Sequence, residues 1–202
     1  MFTVFLILIL AVAGILLYAY TRPDSYRVER KITIAAPAAA ILPYLRNLQE
    51  TIHWSQWEKI DPNSKRNYTG VMGEVGSTYH WDSPHKQAGE GRIEITNITD
   101  SRVEMDIQFI RPLPGRAKVD YSLEPMGKAT VVMSAFQTSP PFLNKVICIF
   151  FNPEKIIGTM HEKSLNNLRT LVEANTAMGE RMGRSVAKMT ATPNSKTKVE
   201  KA

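Results

Sequence analysis

His161 is the residue whose type and position best suit proton chemistry. Ile157 and Leu165 lie four positions on either side of it, which places the imidazole on the apolar face of a predicted helix. An imidazole titrates near neutral pH, but acid or base catalysis would need a second polar group within reach. Tyr79 and Tyr121 are the candidates, because both fall at inward positions of predicted strands. The alternative interpretation is a hydrogen-bonded core histidine.

Two of the three tryptophans of the chain lie close together in the polar stretch TIHWSQWEKID. Trp54 and Trp57 are three residues apart, so on one helical turn they would share a face. They either close the core or contact a ligand, and large aromatic rings favour some burial in both cases. Trp57 is followed by a polar run that ends at Asp61, so we expect Trp57 nearer the rim and Trp54 deeper.

Other residues with chemical potential lack the spacing that a site requires. The remaining histidines, His53, His80 and His85, do not have metal-ligand spacing. The glycines between residues 70 and 76 are followed by a strand pattern, where a phosphate-binding loop would need a helix. No Lys-Ser/Thr pair follows Gly76 either, so a phosphate-binding loop is excluded. Cys148 is the only cysteine, lies in an apolar run and is predicted to be a buried, unreactive thiol. We therefore expect no metal and no cofactor.

An uninterrupted apolar run opens the chain. From Phe2 to Tyr20 no charge occurs, and at about 1.5 Å per residue a helix of this length just spans a hydrocarbon core of about 30 Å. A cleavable signal peptide would have a basic start and a small-residue cleavage site, which are both missing. Basic residues follow the run, so the positive-inside rule predicts a single-pass anchor with the soluble domain in the cytoplasm.

The net charge of +6 is concentrated near the C-terminus. Residues 28–175 carry 17 basic and 16 acidic side chains, so the folded part is almost neutral and has no sign of a nucleic-acid-binding face. Residues 176–202 carry six basic and two acidic side chains without a sustained apolar period. We predict that this tail is disordered, with weak attraction to anionic lipid as a second possibility.

The periodicity of the remaining chain predicts an α+β domain. A strand at residues 26–35 and a short helix with Ile41, Leu42 and Leu45 on one stripe are followed by closely spaced alternating segments. The clearest strand is RVEMDIQF, in which Val103 to Phe109 alternate with polar residues. Asn152 and Pro153 then suit the start of a helix of about 22 residues. Such strands predict a meandering antiparallel sheet with one wet face.

This order of elements, and several short motifs, resemble the SRPBCC superfamily (START-like, including polyketide cyclase/dehydrase-like proteins), and specifically its membrane-anchored bacterial members. The motifs are RKITIAAPAAAI (Arg30 to Ile41), the W-x-x-W pair followed by Asp61-Pro62, YTGVMGEVGSTYHW (Tyr68 to Trp81), GEG (Gly89 to Gly91), FIRPLP (Phe109 to Pro114) and KIIGTMHEKSLNNLRTLVE (Lys155 to Glu173). The resemblance implies a helix-grip fold, in which a curved antiparallel sheet of about six to seven strands wraps around the long C-terminal helix. It also implies a pocket between sheet and helix for apolar or amphipathic small molecules.

We predict a transmembrane anchor at residues 1–21, a juxtamembrane linker at 22–25, a START-like domain at 26–175 and the tail at 176–202. The leading hypothesis is a membrane-anchored binding module for a lipid or an aromatic, polyketide-like molecule. The alternatives are a cyclase- or dehydrase-like enzyme that uses the same cavity, and a protein-interaction module of the chaperone-activator type. We assign no catalytic residue. The residues predicted to line the cavity are Trp54, Trp57, Tyr79, Trp81, Ile93, Met105, Ile107, Phe109, Tyr121, Phe136, Ile157 and His161.

Overall fold

A computed structural model of the protein describes residues 1–142, 145, 146, 149 and 152–190. Its helices are α1 (Phe2–Thr21), α2 (Ala38–Arg46), α3 (Thr51–Trp54) and α4 (Pro153–Thr190). Short 3-10 turns cover Leu48–Glu50 and Trp57–Lys59. The strands are β1 (Tyr26–Ile34), β2 (Lys65–Thr69), β3 (Thr78–Asp82), β4 (Glu90–Thr99), β5 (Arg102–Arg111), β6 (Gly115–Met126) and β7 (Ala129–Thr138). Cys148 lies outside the described residues.

The seven strands form one antiparallel sheet in the order β1-β7-β6-β5-β4-β3-β2. Consecutive strands from β2 to β7 are neighbours, as the predicted meander requires, and β1 joins the free edge of β7. Register shifts at Glu90/Gly91 and at Ile95/Asn97 interrupt the pairing of β4 with β5. Such irregularities bend a strand and increase its twist. Helix α4 packs mainly on β1 and α3, so it covers the inner face of the sheet.

The alternation of side chains in the sheet matches the predicted pattern. In β5 and β6, Val103, Met105, Val119 and Tyr121 are buried, whereas their neighbours in sequence are more exposed. Helix α4 contributes Leu165, Leu168 and Val172 to the same core, each at most 1% exposed. The predicted helix start is also confirmed, because the Asn152 Oδ1 atom accepts a hydrogen bond of 3.0 Å from the Lys155 backbone N–H.

Three details differ from the sequence-based expectation. The polar edge strand β2 was not predicted, because only Tyr68 gives it an apolar inward position. The alternation of Val75 with Ser77, Tyr79 and Trp81 in the sequence places all four on one face of a strand, but Val75 lies in the turn before β3 and is 59% exposed. Helix α4 continues to Thr190 instead of ending near residue 175. Residues 176–190 contain many good helix formers, which extend a helix even without an apolar stripe to bury. The rest of the predicted tail, residues 191–202, lies outside the described residues.

Helix α1 is long and apolar enough to cross a membrane. A stretch of 18 residues within it has a mean hydropathy of 2.8, and only 6% of that stretch is buried. Its last turn is covered, since Ala19 has no exposed surface. After Thr21 a linker of four residues leads to Tyr26, the first residue of β1. The Lys145 ammonium forms an ion pair with Asp24 in this linker and donates a hydrogen bond of 3.4 Å to the Arg22 carbonyl.

Candidate ligand-binding site

The inner face of the sheet is built from cross-strand rows of side chains. One row runs through Tyr79, Ile93, Ile107, Ala117 and Thr138, each paired with the next in the register. Residues in register on adjacent antiparallel strands have Cβ atoms about 5 Å apart, so these side chains form a continuous surface. Ile93 and Ile107 are only partly buried although they face the core. The inner face is therefore partly open at this end of the sheet.

Eleven of the twelve predicted residues join one cluster. Trp54, Tyr79, Met105, Tyr121 and Phe136 are buried in the hydrophobic core, and Trp81, Ile93, Ile107, Phe109 and Ile157 pack against it in partly buried positions. His161 is 5% exposed, and its ring lies 5.9 Å from the Phe136 ring. Trp57 is the one predicted residue that does not join this cluster, and it is 40% exposed. Contact of these residues with a ligand stays a prediction.

Trp54 and Trp57, the two tryptophans of the stretch TIHWSQWEKID, do not share a helical face. Trp54 ends α3 and is 2% exposed; its indole N–H donates to the Tyr44 carbonyl at 3.1 Å. Its ring meets Tyr121 edge-on at 5.8 Å, and its carbonyl accepts a hydrogen bond from the Asn167 amide of α4. Trp57 begins the next 3-10 turn and remains at the surface. As expected, Trp54 is the deeper residue and Trp57 the one nearer the rim.

Aromatic rings form a wall at the partly open end. The Trp81 ring lies 6.0 Å from Tyr79 and meets Phe109 edge-on at 6.2 Å, and its indole N–H donates to the Ala88 carbonyl at 3.0 Å. The indole has room because Gly91, its partner on β4, has no side chain: a Cβ atom there would lie 2.4 Å from the Trp81 ring. Packing against the Trp81 indole thus explains Gly91, the second glycine of the GEG motif.

A polar chain lies deeper, beneath α4. The His161 Nδ1 atom and the Ser134 Oγ atom are 2.6 Å apart in a hydrogen bond between buried side chains. Tyr121 pairs with Ser134 in the register of β6 and β7, so the three polar groups are adjacent. Burial raises the pKa of Tyr121 to about 12, against a smaller opposing effect of the Ser134 hydroxyl. At neutral pH this tyrosine is protonated and can act only as a hydroxyl group.

Arg30 approaches the same chain from β1. A Cβ atom on Gly158 of α4 would lie 2.0 Å from the Arg30 guanidinium, so the arginine occupies the space that the missing side chain leaves. Burial, and to a smaller extent the positive charge of Arg30, lowers the pKa of His161 to about 4. His161 is therefore neutral at pH 7, and its imidazole can accept a proton or a hydrogen bond.

Sequence reasoning missed both partners of His161, although each left a signal. Arg30 interrupts the apolar phase of the first strand, between Val28 and Ile32. Ser134 stands between the apolar Val132 and Phe136 in the inward phase of β7. A polar residue in an apolar phase predicts a buried hydrogen-bonded group. Its partner could not be named from the sequence, because the partner comes from a distant element.

Tyr79 belongs to a different polar cluster. Its hydroxyl donates to the Glu58 Oε1 atom at 2.8 Å, and the Arg66 Nε atom donates to the Glu58 Oε2 atom at 2.9 Å. Burial, followed by the nearby Glu58 carboxylate, raises the pKa of Tyr79 far above its usual value. The Tyr68 ring stacks on the Tyr79 ring at 4.9 Å. Of the two tyrosines considered as partners of His161, the structure therefore selects Tyr121.

The sheet also carries a groove on its opposite, outer face. This groove has a volume of about 600 Å³ and is lined mainly by outward side chains that include Arg92, Glu94, Asp106, Arg116 and Lys118. It is open to solvent and rich in charge, so it does not match the apolar pocket predicted between sheet and helix. The two sites lie on opposite faces of the same strands.

Neither a family model nor a curated protein matches this sequence. Solved structures do match the fold. A protein from Chromobacterium violaceum has a TM-score of 0.53 at 14% identity over 75% of this chain and 99% of its own. The di-domain ARO/CYC StfQ from the steffimycin biosynthetic pathway gives 0.56 at 10% identity over 76% of this chain and 52% of its own. A norcoclaurine synthase point mutant from Thalictrum, in complex with a transition-state analogue, gives 0.52 at 16% identity over 75% and 96%.

These similar structures have SRPBCC-type folds. The resemblance that the sequence motifs suggested is thus confirmed at the level of the fold, over the part of the chain from β1 to α4. An open antiparallel sheet of seven strands holds one long C-terminal helix against its inner face, and an apolar helix precedes it. The chain therefore has the helix-grip fold of the SRPBCC type.

Proposed function

We propose that this protein is a membrane-anchored binding module, which takes a hydrophobic or amphipathic small molecule between the inner face of its sheet and α4. One observation carries the proposal: the inward apolar side chains Ile93, Ile107 and Phe109 remain partly exposed next to one another at one end of the inner face. Apolar surface left uncovered beside a core is the usual lining of a ligand pocket.

The chemistry of this face fits an amphipathic ligand. Trp81, Phe109 and Ile157 offer apolar and aromatic contacts near the opening, and His161 with Ser134 offers hydrogen bonds deeper in. Pockets of this kind bind the apolar body of a ligand and orient it by a few polar groups. Two of the similar structures are StfQ, an ARO/CYC protein of a biosynthetic pathway, and norcoclaurine synthase, which supports a small molecule as the ligand.

Helix α1 supports the location that we propose, a single-pass membrane protein. Arg22, Arg27, Arg30 and Lys31 follow the apolar helix within ten residues. By the positive-inside rule the domain then lies in the cytoplasm.

The binding proposal is tested by extraction of the purified full-length protein with organic solvent, followed by mass spectrometry. The variant Phe109→Asp places a charge on the inner face, whereas Gln108→Asp places the same charge on the outer face one residue away. We expect a copurifying apolar compound in the native protein and in Gln108→Asp, and its loss in Phe109→Asp. Far-UV circular dichroism checks that both variants are folded. If the native protein yields no apolar compound, or if both variants retain it equally, the proposal is wrong.

A second function, a cyclase-like enzyme, is favoured by one specific contact. The hydrogen bond of 2.6 Å between His161 and Ser134 places a neutral imidazole beside two hydroxyl groups, those of Ser134 and Tyr121. A neutral imidazole can accept a proton and return it to a product. Comparison of the compounds extracted from the native protein and from His161→Gln distinguishes the functions. An enzyme would accumulate a different, unconverted compound in the variant, whereas a binding module would hold the same one.

A further inference from the structure

The partly open end of the inner face is the end that lies next to the anchor. Tyr26, the first residue of β1, pairs with Thr138 at the end of β7, and Thr138 pairs with Ala117 near the start of β6. The cross-strand row of the inner face that contains Ile93, Ile107, Ala117 and Thr138 therefore extends to Tyr26, the first residue after the linker. The apolar opening and the attachment to α1 occupy the same end of the sheet.

The linker keeps this end close to the bilayer. Only residues 22–25 separate α1 from β1, and four residues span about 14 Å at most. The ion pair of Lys145 with Asp24 attaches the segment after β7 to this linker as well. Met126, at the far end of the sheet, is separated from the linker end by the whole length of β6. At about 3.4 Å per residue, this strand of 12 residues is roughly 40 Å long.

The loops at the near end carry side chains suited to a lipid surface. Ile110 near the end of β5 and Leu113 in the β5–β6 loop are 38% and 39% exposed, and Phe142 after β7 is 47% exposed. Arg116 follows this loop and forms no ion pair within the part of the chain that the structure describes. Apolar and aromatic side chains next to a free cation can bind at the interface of an anionic membrane.

Exposed apolar residues alone would not identify this surface. Val71, Val75 and Met126 at the far end of the sheet are exposed to a greater extent, at 64%, 59% and 55%. The near end is distinguished by the short linker, which places its loops and not the far turns within reach of the bilayer. The far residues therefore provide matched controls.

We propose that the end of β5 and the β5–β6 loop, together residues 110–114, and Phe142 dock on the surface of the bilayer that α1 spans, so that the inner face opens toward the lipid. The ligand then belongs to the amphipathic molecules dissolved in that membrane and enters without crossing water. This inference rests on the proposed anchor and binding function, and it adds the surface through which the ligand arrives.

The docking is tested with the full-length protein in vesicles of phosphatidylcholine and phosphatidylglycerol. Leu113→Cys, Val71→Cys and Leu10→Cys are made separately in a Cys148→Ser background, and each carries a fluorescent bimane label. Lipids with a nitroxide at the headgroup or in the middle of the acyl chain quench labels at the corresponding depth. We expect headgroup nitroxide to quench the label at Leu113 several-fold more than the label at Val71, and acyl-chain nitroxide to quench the label at Leu10.

Each other result overturns a defined part of the inference. Quenching of the label at Leu10 with equal, weak quenching at Leu113 and Val71 would disprove docking while the anchor is retained. Stronger quenching at Val71 than at Leu113 would mean that the opposite end of the sheet faces the bilayer. No quenching at Leu10 would disprove the anchor and docking together. Solvent extraction of the same variants in detergent, before they are placed in vesicles, reports ligand binding separately, so a failure of the binding function is distinguishable from a failure of docking.

Discussion

The indole ring of Trp81 lies directly over Gly91, the residue opposite it on the next strand. A Cβ atom at Gly91 would be 2.4 Å from two atoms of the indole and 2.7 Å from the Gln108 carbonyl oxygen. These separations are too short for any real side chain, and one of the two neighbours is backbone. The aromatic wall of the candidate site therefore depends on a glycine at this position.

Gly91→Ala should displace the Trp81 indole and destabilise the protein. Inserting a methyl group into a filled space costs about 1–3 kcal/mol. Gly115→Ala is the matched control, because nothing lies within 4 Å of its Cβ position in strand β6, which is separated from β4 by β5. The free energy of unfolding in mild detergent, followed by far-UV circular dichroism, measures both effects. Equal stability of the two variants would show that the indole does not occupy this position.

Gly158→Ala should move the Arg30 guanidinium away from α4. The new Cβ atom would lie 2.0 Å from a terminal nitrogen of Arg30, which is flexible enough to shift. Because the charge of Arg30 contributes to the lowered pKa of His161, we expect that pKa to rise in the variant. NMR titration of the imidazole measures it.

Gly179→Ala, in the same helix, is the control for the effect of Gly158→Ala on helix stability. Nothing lies within 4 Å of its Cβ position, so this substitution should stabilise the helix by about 0.5–1 kcal/mol and leave the pKa of His161 unchanged. A rise of the pKa in Gly179→Ala as well would mean that Arg30 is not the cause.

Stability should fall as the pH drops from about 6.5 to 4, because the folded state prefers neutral His161. Its pKa is about 4 in the folded protein, whereas an unperturbed imidazole has a pKa of 6.5, so the unfolded chain binds a proton first as the pH falls. The stabilisation is complete above pH 6.5, is lost progressively toward pH 4 and amounts to about 3 kcal/mol. Urea unfolding at a series of pH values measures it. His161→Gln should flatten the curve in this range, and an unchanged slope would contradict the assignment.

Trp54→Ala and Trp57→Ala should separate the two tryptophans by their effects on stability. Trp54 is 2% exposed and contacts Tyr121, so its truncation should cost about 3–5 kcal/mol. Trp57 is 40% exposed, and its truncation should cost less than about 1 kcal/mol. Thermal unfolding of both variants tests this. Similar losses in the two would mean that Trp57 is also part of the core.

Local patterns in the sequence predicted most of the elements correctly. Strands such as β5 alternate apolar and polar residues, and α4 repeats apolar residues at helical spacing, because each of these elements buries one face. Strand β2 was not predicted, because an edge strand with a single apolar inward residue shows almost no alternation of apolar and polar residues. The length of α4 was underestimated for a related reason: the sequence of residues 176–190 has no sustained apolar period, and helix propensity alone was too weak a signal.

The sequence by itself determined the class of fold, the apolar N-terminal helix and the set of inward residues, since these depend on periodicity within single elements. Only the tertiary structure decided which polar groups meet. Arg30, Ser134 and His161 lie on β1, β7 and α4, and their proximity depends on strand register and on the position where α4 crosses the sheet. It also assigned the Tyr79 hydroxyl to Glu58 and left Tyr121 beside Ser134. Contacts between residues far apart in the chain are set by the packing of whole elements, which no local pattern encodes.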